Sequence, residues 1–140
     1  MKLISDYKGS DFNSIEADNT SAFNCRAITG NAKKWSNHAY GIAIDINPIE
    51  NPYISKSGRI AHKKSYKYRE RKSLKGVILK DDNVERLFKK YGWKWGGDWI
   101  TIKDYQHFEY SLKKLNQKKD TKTISIKKLM QDLNNTDNLF

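Results

Sequence analysis

A chain of 140 residues with 37% hydrophobic side chains has enough apolar material for one modest core and too little for two domains of ordinary size. No apolar run approaches the roughly 20 residues that cross a bilayer, residues 1–6 turn polar before a signal-peptide core could form, and the lone Cys25 excludes an intrachain disulfide or a site of paired cysteines. A net charge of +11, from 27 basic and 16 acidic residues, points to anionic partners, whether nucleic acid, lipid headgroups or the anionic polymers of a cell wall.

Residues 22–28 alternate, with Phe23, Cys25 and Ala27 on one face and Asn24 and Arg26 on the other, which predicts a half-buried strand. Cys25 then reads as a small core residue and Arg26 points away from the core. Gly30 and Asn31 end that run, and residues 33–37 read as a polar connection. Over residues 41–46 the alternation returns, with Ile42, Ile44 and Ile46 facing a core and Gly41, Ala43 and Asp45 opposite. Such a strand presents its one acid on a face of small residues.

Pro48 and Pro52 bracket an irregular segment, and residues 55–75 are basic and without a period, as in a long surface loop. His62 lies in that loop and reads as solvated. Asp82-Asn83-Val84-Glu85 resembles a capping box, followed by Val84, Leu87, Phe88 and Tyr91 at helical spacing and by Gly92 as a stop. Residues 105–110 predict a short strand in which His107 shares a face with Tyr105 and Glu109 while Gln106 and Phe108 point the other way. Beyond Tyr110 the chain is rich in lysine and asparagine, with Ile126, Leu129, Met130 and Leu133 spaced for a short amphipathic helix. The expected organisation is one domain over residues 1–112 and a basic tail over residues 113–140.

The chemistry lies in two stretches far apart in sequence. A catalytic zinc ion takes three ligands from His and Asp or Glu and keeps its fourth position open. His38, Asp45 and His107 supply that set, provided the chain turns between the first two, which Gly41 permits. Asp104 stands just ahead of His107, where a carboxylate can serve as general base and return its proton to a leaving amine. Arg26 can stabilise an oxyanion or a substrate carboxylate, and Glu16 or Asp18 are its expected alternative partners. Ser36 and Trp99 are candidates for contact with substrate. Trp93, Trp95 and Trp99 include at least one core residue, and Glu109 is either a partner for an imidazole N–H or a plain strand carboxylate.

The pattern Ser36-x-His38-x-x-Gly41-x-Ala43-x-Asp45, then Trp95-Gly96-Gly97-Asp98-Trp99, then Asp104-x-x-His107-Phe108-Glu109 resembles the D-alanyl-D-alanine carboxypeptidase and L-alanyl-D-glutamate endopeptidase family of zinc peptidases. VanY-type enzymes and several phage endolysins belong to it. The similarity extends to residues 19–26 and 47–53, so it runs over residues 3–110. It implies an α+β fold of the hedgehog and D-Ala-D-Ala peptidase type, a small antiparallel sheet flanked by helices with one zinc ion on the sheet face. It also implies cleavage of peptide bonds in peptidoglycan, hence action at the bacterial cell wall or periplasm, with anionic wall polymer as a further partner. On matching positions it carries the metal to His38, Asp45 and His107, the acid/base to Asp104 and the electrostatic role to Arg26. Family members have a further segment before the position of Leu3, so the domain is expected to lack an amino-terminal part. The competing expectation from another class is a non-catalytic basic module for nucleic acid or wall polyanion with a vestigial metal site.

Overall fold

In a computed structural model, which describes residues 1–28 and 30–111, three short strands carry the core. Strand β7 (His107–Tyr110) runs between β3 (Ala43–Asp45) and β5 (Trp93–Trp95), antiparallel to both. Its register places Phe108 opposite Ile44 and Trp95, and His107 opposite Asp45. Residues directly opposite share a face of the sheet and neighbours alternate, so one register divides the sheet's two functions. Ile44, Phe108 and Trp95 point into the core with Ile46, Ile78, Val84 and Phe88, while Asp45 and His107 meet on the other face.

Helix α2 (Asn83–Lys90) covers the core face. Asp82 caps it, with Oδ1 accepting from the Glu85 N–H at 2.8 Å, and Phe88 stacks on Phe108 with ring centroids 4.1 Å apart. The reciprocal arm expected of a capping box is replaced: the Glu85 carboxylate is fully buried and pairs with Lys89, which also reaches Asp98 at 3.0 Å. Gly92 follows at φ 86°, the left-handed geometry expected of a helix stop.

Two further pairs flank this sheet. Strand β1 (Ala27–Ile28) makes a hairpin with β2 (Asn31–Trp35), and β4 (Tyr53–Ile54) pairs with β6 (Lys103–Asp104). A short helix α1 (Asp11–Glu16) lies near the start. The molecule is therefore mixed α and β with antiparallel pairing and few helices; the single sheet expected from sequence is divided among three small ones.

Several expectations are corrected. Residues 22–26 form no strand: Ser21 alone bridges Asp45, through bonds of 2.8 and 2.9 Å, and the chain then leaves the sheet edge, with Phe23 and Cys25 exposed. Cys25 is not a core residue. Residues 33–35 are strand, not connection, and their side chains are all exposed, so they carry no apolar alternation to read. Ile42 is only half-buried, just ahead of β3.

The basic 55–75 segment is also anchored. It contains a 3-10 turn over Lys63–Tyr68, and Ile60, His62 and Ser65 are buried. His62, expected in solvent, packs against Phe12 and its Nδ1 meets Glu16 Oε1 at 2.6 Å. Asn51, wholly buried, ties this region to β3: its amide donates to the carbonyls of Ile46, Asn47 and Gly76, and its oxygen accepts from Ile78 N–H and Arg71. Residues 112–140 lie outside the described residues, and so do the basic tail and its expected helix.

Candidate metal centre and its cleft

Ser36 starts a tight 3-10 turn over Asn37–Tyr40, its Oγ accepting from the His38 N–H at 3.3 Å, and Gly41 closes the turn at φ 67°. A left-handed residue there reverses the chain, which brings His38 back over β3. The His38 ring is 1% exposed, and its Nδ1 lies 2.8 Å from the carbonyl oxygen of Ala22. A carbonyl can only accept, so Nδ1 carries the proton and Nε2 presents a lone pair.

That nitrogen stands beside the other two residues of the group. His38 Nε2 is 3.2 Å from His107 Nδ1 and 3.2 Å from Asp45 Oδ2, and His107 Nδ1 is 3.0 Å from Asp45 Oδ1. The three buried donor atoms lie within 4.8 Å of one another, a grouping that could hold a metal ion. Around it the electrostatics are strongly perturbed. Burial pushes the Asp45 carboxyl up, but the neighbouring His107 and His38 rings outweigh that and hold it well below the usual carboxylate range. Burial lowers His107, yet its bonds to Asp45 and Glu109 overcome this and push it up to about 10.

Asp104 reaches the same cavity from β6. Its Oδ1 is shielded from water and has no hydrogen-bond partner, and desolvation followed by the nearby Asp45 charge pushes its carboxyl up to about 7, against the opposing charge of His107. The glycines of the Trp95-Gly96-Gly97 stretch make this approach possible, since a Cβ on Gly96 would lie 2.5 Å from the Asp104 carbonyl oxygen. Trp95 itself is core, and its indole N–H donates to the Tyr105 carbonyl at 2.7 Å. The ring of Trp99 stands 5.5 Å from that of His107.

Arg26, Ser36, His38, Asp45, Trp99, Asp104 and His107 all line one cavity of about 480 Å³, so every site residue expected from the sequence is gathered there. Arg26 pairs with Asp11 at 3.2 Å, rather than with the expected Glu16 or Asp18. Asp11, in α1, also accepts from Asn24 at 3.0 Å; nothing in the local sequence of either arm signals that pairing. Ser36 has a local role besides facing the cavity, because its oxygen caps the turn that delivers His38. Asn37 was overlooked in the sequence: its amide donates to Glu109 Oε2 at 2.7 Å.

The peptidase M15 family described as D-alanyl-D-alanine carboxypeptidase matches residues 29–110, a span that holds the whole His38, Asp45, Asp104 and His107 constellation. The chain belongs to this family. The M15 match accounts for the fold-back turn, β3 and β7 together, and a peptide is the substrate class that such a peptidase takes. M15 peptidases are typically metal-dependent, in keeping with the His-Asp-His grouping. Arg26 lies outside the matched span, so its place in the site rests on the cavity it lines. No solved structure matches the chain.

Proposed function

We propose that this M15 chain is a zinc-dependent peptidase acting at the bacterial cell wall on the peptide part of peptidoglycan, as a D-Ala-D-Ala carboxypeptidase or an L-Ala-D-Glu endopeptidase. The observation that carries this reading is the convergence of His38 Nε2 and His107 Nδ1, 3.2 Å apart, on the Asp45 carboxylate, whose Oδ2 lies 3.2 Å from the first and whose Oδ1 lies 3.0 Å from the second. Ligands of a tetrahedral zinc ion at about 2.1 Å stand roughly 3.4 Å apart, so the two imidazole nitrogens, 3.2 Å apart, need to part only slightly. Two nitrogens and one oxygen favour zinc over magnesium or calcium, which prefer all-oxygen shells. When bound, zinc supplies a Lewis acid that polarises the scissile carbonyl and acidifies water.

The chain's own residues supply the rest. Asp104, facing the cavity with its Oδ1 buried and unpartnered, is placed to accept a proton from the attacking water and hand it to the leaving amine. Arg26, fixed by Asp11, offers a guanidinium to the substrate's carbonyl or terminal carboxylate. Trp99 walls the cavity beside His107, and Ser36 retains a hydroxyl proton to donate. The fold is read as the D-Ala-D-Ala peptidase type.

Asp104→Asn tests the reading, because the amide is nearly isosteric but cannot take a proton. Zinc content is expected to be unchanged, and release of fragments from defined muropeptides is expected to fall by about 10² to 10⁴. Mass analysis of the wild-type fragments identifies the bond cut. Normal turnover in zinc-loaded Asp104→Asn would assign the base elsewhere.

A further inference from the structure

We propose that Glu109, held in place by Asn37, is a positioning residue that selects the metal-binding tautomer of His107. The proposal rests on the metal reading above and concerns a residue that touches no ligand position of the ion itself. His107 presents Nδ1 to Asp45 and His38, and its other ring nitrogen, Nε2, lies 3.4 Å from Glu109 Oε2. That same oxygen accepts from the Asn37 amide at 2.7 Å. Glu109 follows two residues after His107 in β7, so both side chains leave the same face, and opposite Glu109 stand Ala43 on β3 and Lys94 on β5, whose charge favours the ionised carboxylate.

The chemistry follows from what a carboxylate can do. It only accepts, so a carboxylate at Nε2 keeps the His107 proton on that nitrogen and leaves the Nδ1 lone pair for the ion. Without Glu109, a neutral His107 can place its proton on Nδ1 and donate it to Asp45 Oδ1, 3.0 Å away. That one hydrogen bond would occupy a nitrogen and an oxygen of the three-atom donor set. Glu109 therefore does for His107 what the Ala22 carbonyl does for His38.

Asn37 makes the arrangement cooperative. It sits in the turn that delivers His38, so the element placing the first imidazole also anchors the group that orients the second. A misplaced turn would loosen both ligands together.

Zinc affinity of the full chain, measured by competition with a chromophoric chelator, tests this independently of hydrolysis. Glu109→Ala is expected to bind zinc about 10- to 100-fold more weakly than wild type, the usual effect of removing such an outer partner. Glu109→Gln keeps an oxygen that can accept from both His107 and Asn37, so it is expected to recover most of the loss. Asn37→Ala is expected to weaken binding in the same direction by a smaller factor, and it decides the question should Glu109→Ala fail to fold. Wild-type affinity in Glu109→Ala, or Glu109→Gln as weak as Glu109→Ala, overturns the inference while leaving the metal site intact. A wild-type chain that binds no zinc, or whose binding survives His107→Ala, overturns the metal reading and this inference with it.

Discussion

Gly96 shows how closely the general-base candidate is held. A Cβ there would stand 2.5 Å from the Asp104 carbonyl oxygen and 3.0 Å from its Cβ, and one on Gly97 would enter the Trp95 ring at 2.4 Å. Both contacts are shorter than carbon atoms tolerate, so the two glycines are a requirement of packing where β5 ends beside β6. Gly96→Ala is therefore expected to shift Asp104, leaving zinc content unchanged and lowering turnover by about 10²-fold, the scale of a 1 Å misplacement. Overpacking at such a site costs about 1–3 kcal/mol, visible as a lower melting temperature. Wild-type turnover in this variant would mean that the base lies off this strand. At this scale the His-Asp-His grouping was legible in sequence, because His38, Asp45 and His107 each stand at a fixed place in a turn or alternation. Asp11 behind Arg26 and Asn37 behind Glu109 were not, since each acts on a residue distant in the chain.

The elements that sequence predicts well are those whose side chains divide cleanly between core and opposite face. Helix α2, β3 and β7 do so, with Phe88, Ile44 and Phe108 buried. Strand β2 exposes all five residues, so its pairing leaves no hydrophobic period. The 55–75 segment misleads for the opposite reason: its basic composition hides the buried Ile60, His62 and Ser65, and polar ties such as that of Asn51 secure its neighbourhood without apolar patterning. Asp18 is another such tie, joining the end of α1 to the segment after β3 by accepting from Ile49 N–H at 3.0 Å. Asp18 is exposed as a whole residue, but partial loss of water around its carboxyl, aided by Glu50 and opposed by the Ile49 bond, pushes it from the ordinary 3.8 up to about 6. Between those values the folded chain keeps a proton that the unfolded chain has lost, so stability falls as pH rises through this window and the deficit persists above it. Asp18→Asn keeps the accepting oxygen and suits the residue's φ of 52°. It is expected to flatten the dependence of urea unfolding on pH between about 4 and 6 and to raise stability at pH 7. A variant retaining the wild-type slope would place the titrating group elsewhere.

Across the whole molecule, two interactions of different range are superimposed. The donor set, Asp104 and Arg26 lie within one cavity, where partners lie a few ångströms apart and salt screens them little. The net charge of +11 acts over the Debye length, about 10 Å at 0.1 M salt and shorter above it. On the proposed cell-wall reading, attraction to an anionic wall polymer should therefore gather the peptidase at its substrate without taking part in the bond cleavage. Sedimentation with insoluble cell walls is expected to weaken steeply between about 50 and 200 mM salt, as multi-contact polyanion binding does. Walls stripped of their anionic polymer should bind less at every salt concentration, while hydrolysis of a small soluble muropeptide should change little over the same range. Tight, salt-insensitive binding to stripped walls would remove the role of charge. Salt-sensitive capture of polyanions with no hydrolysis of any muropeptide by the zinc-loaded chain would favour a basic binding module, because attraction by net charge makes no use of a protonatable acid beside two histidines and a carboxylate.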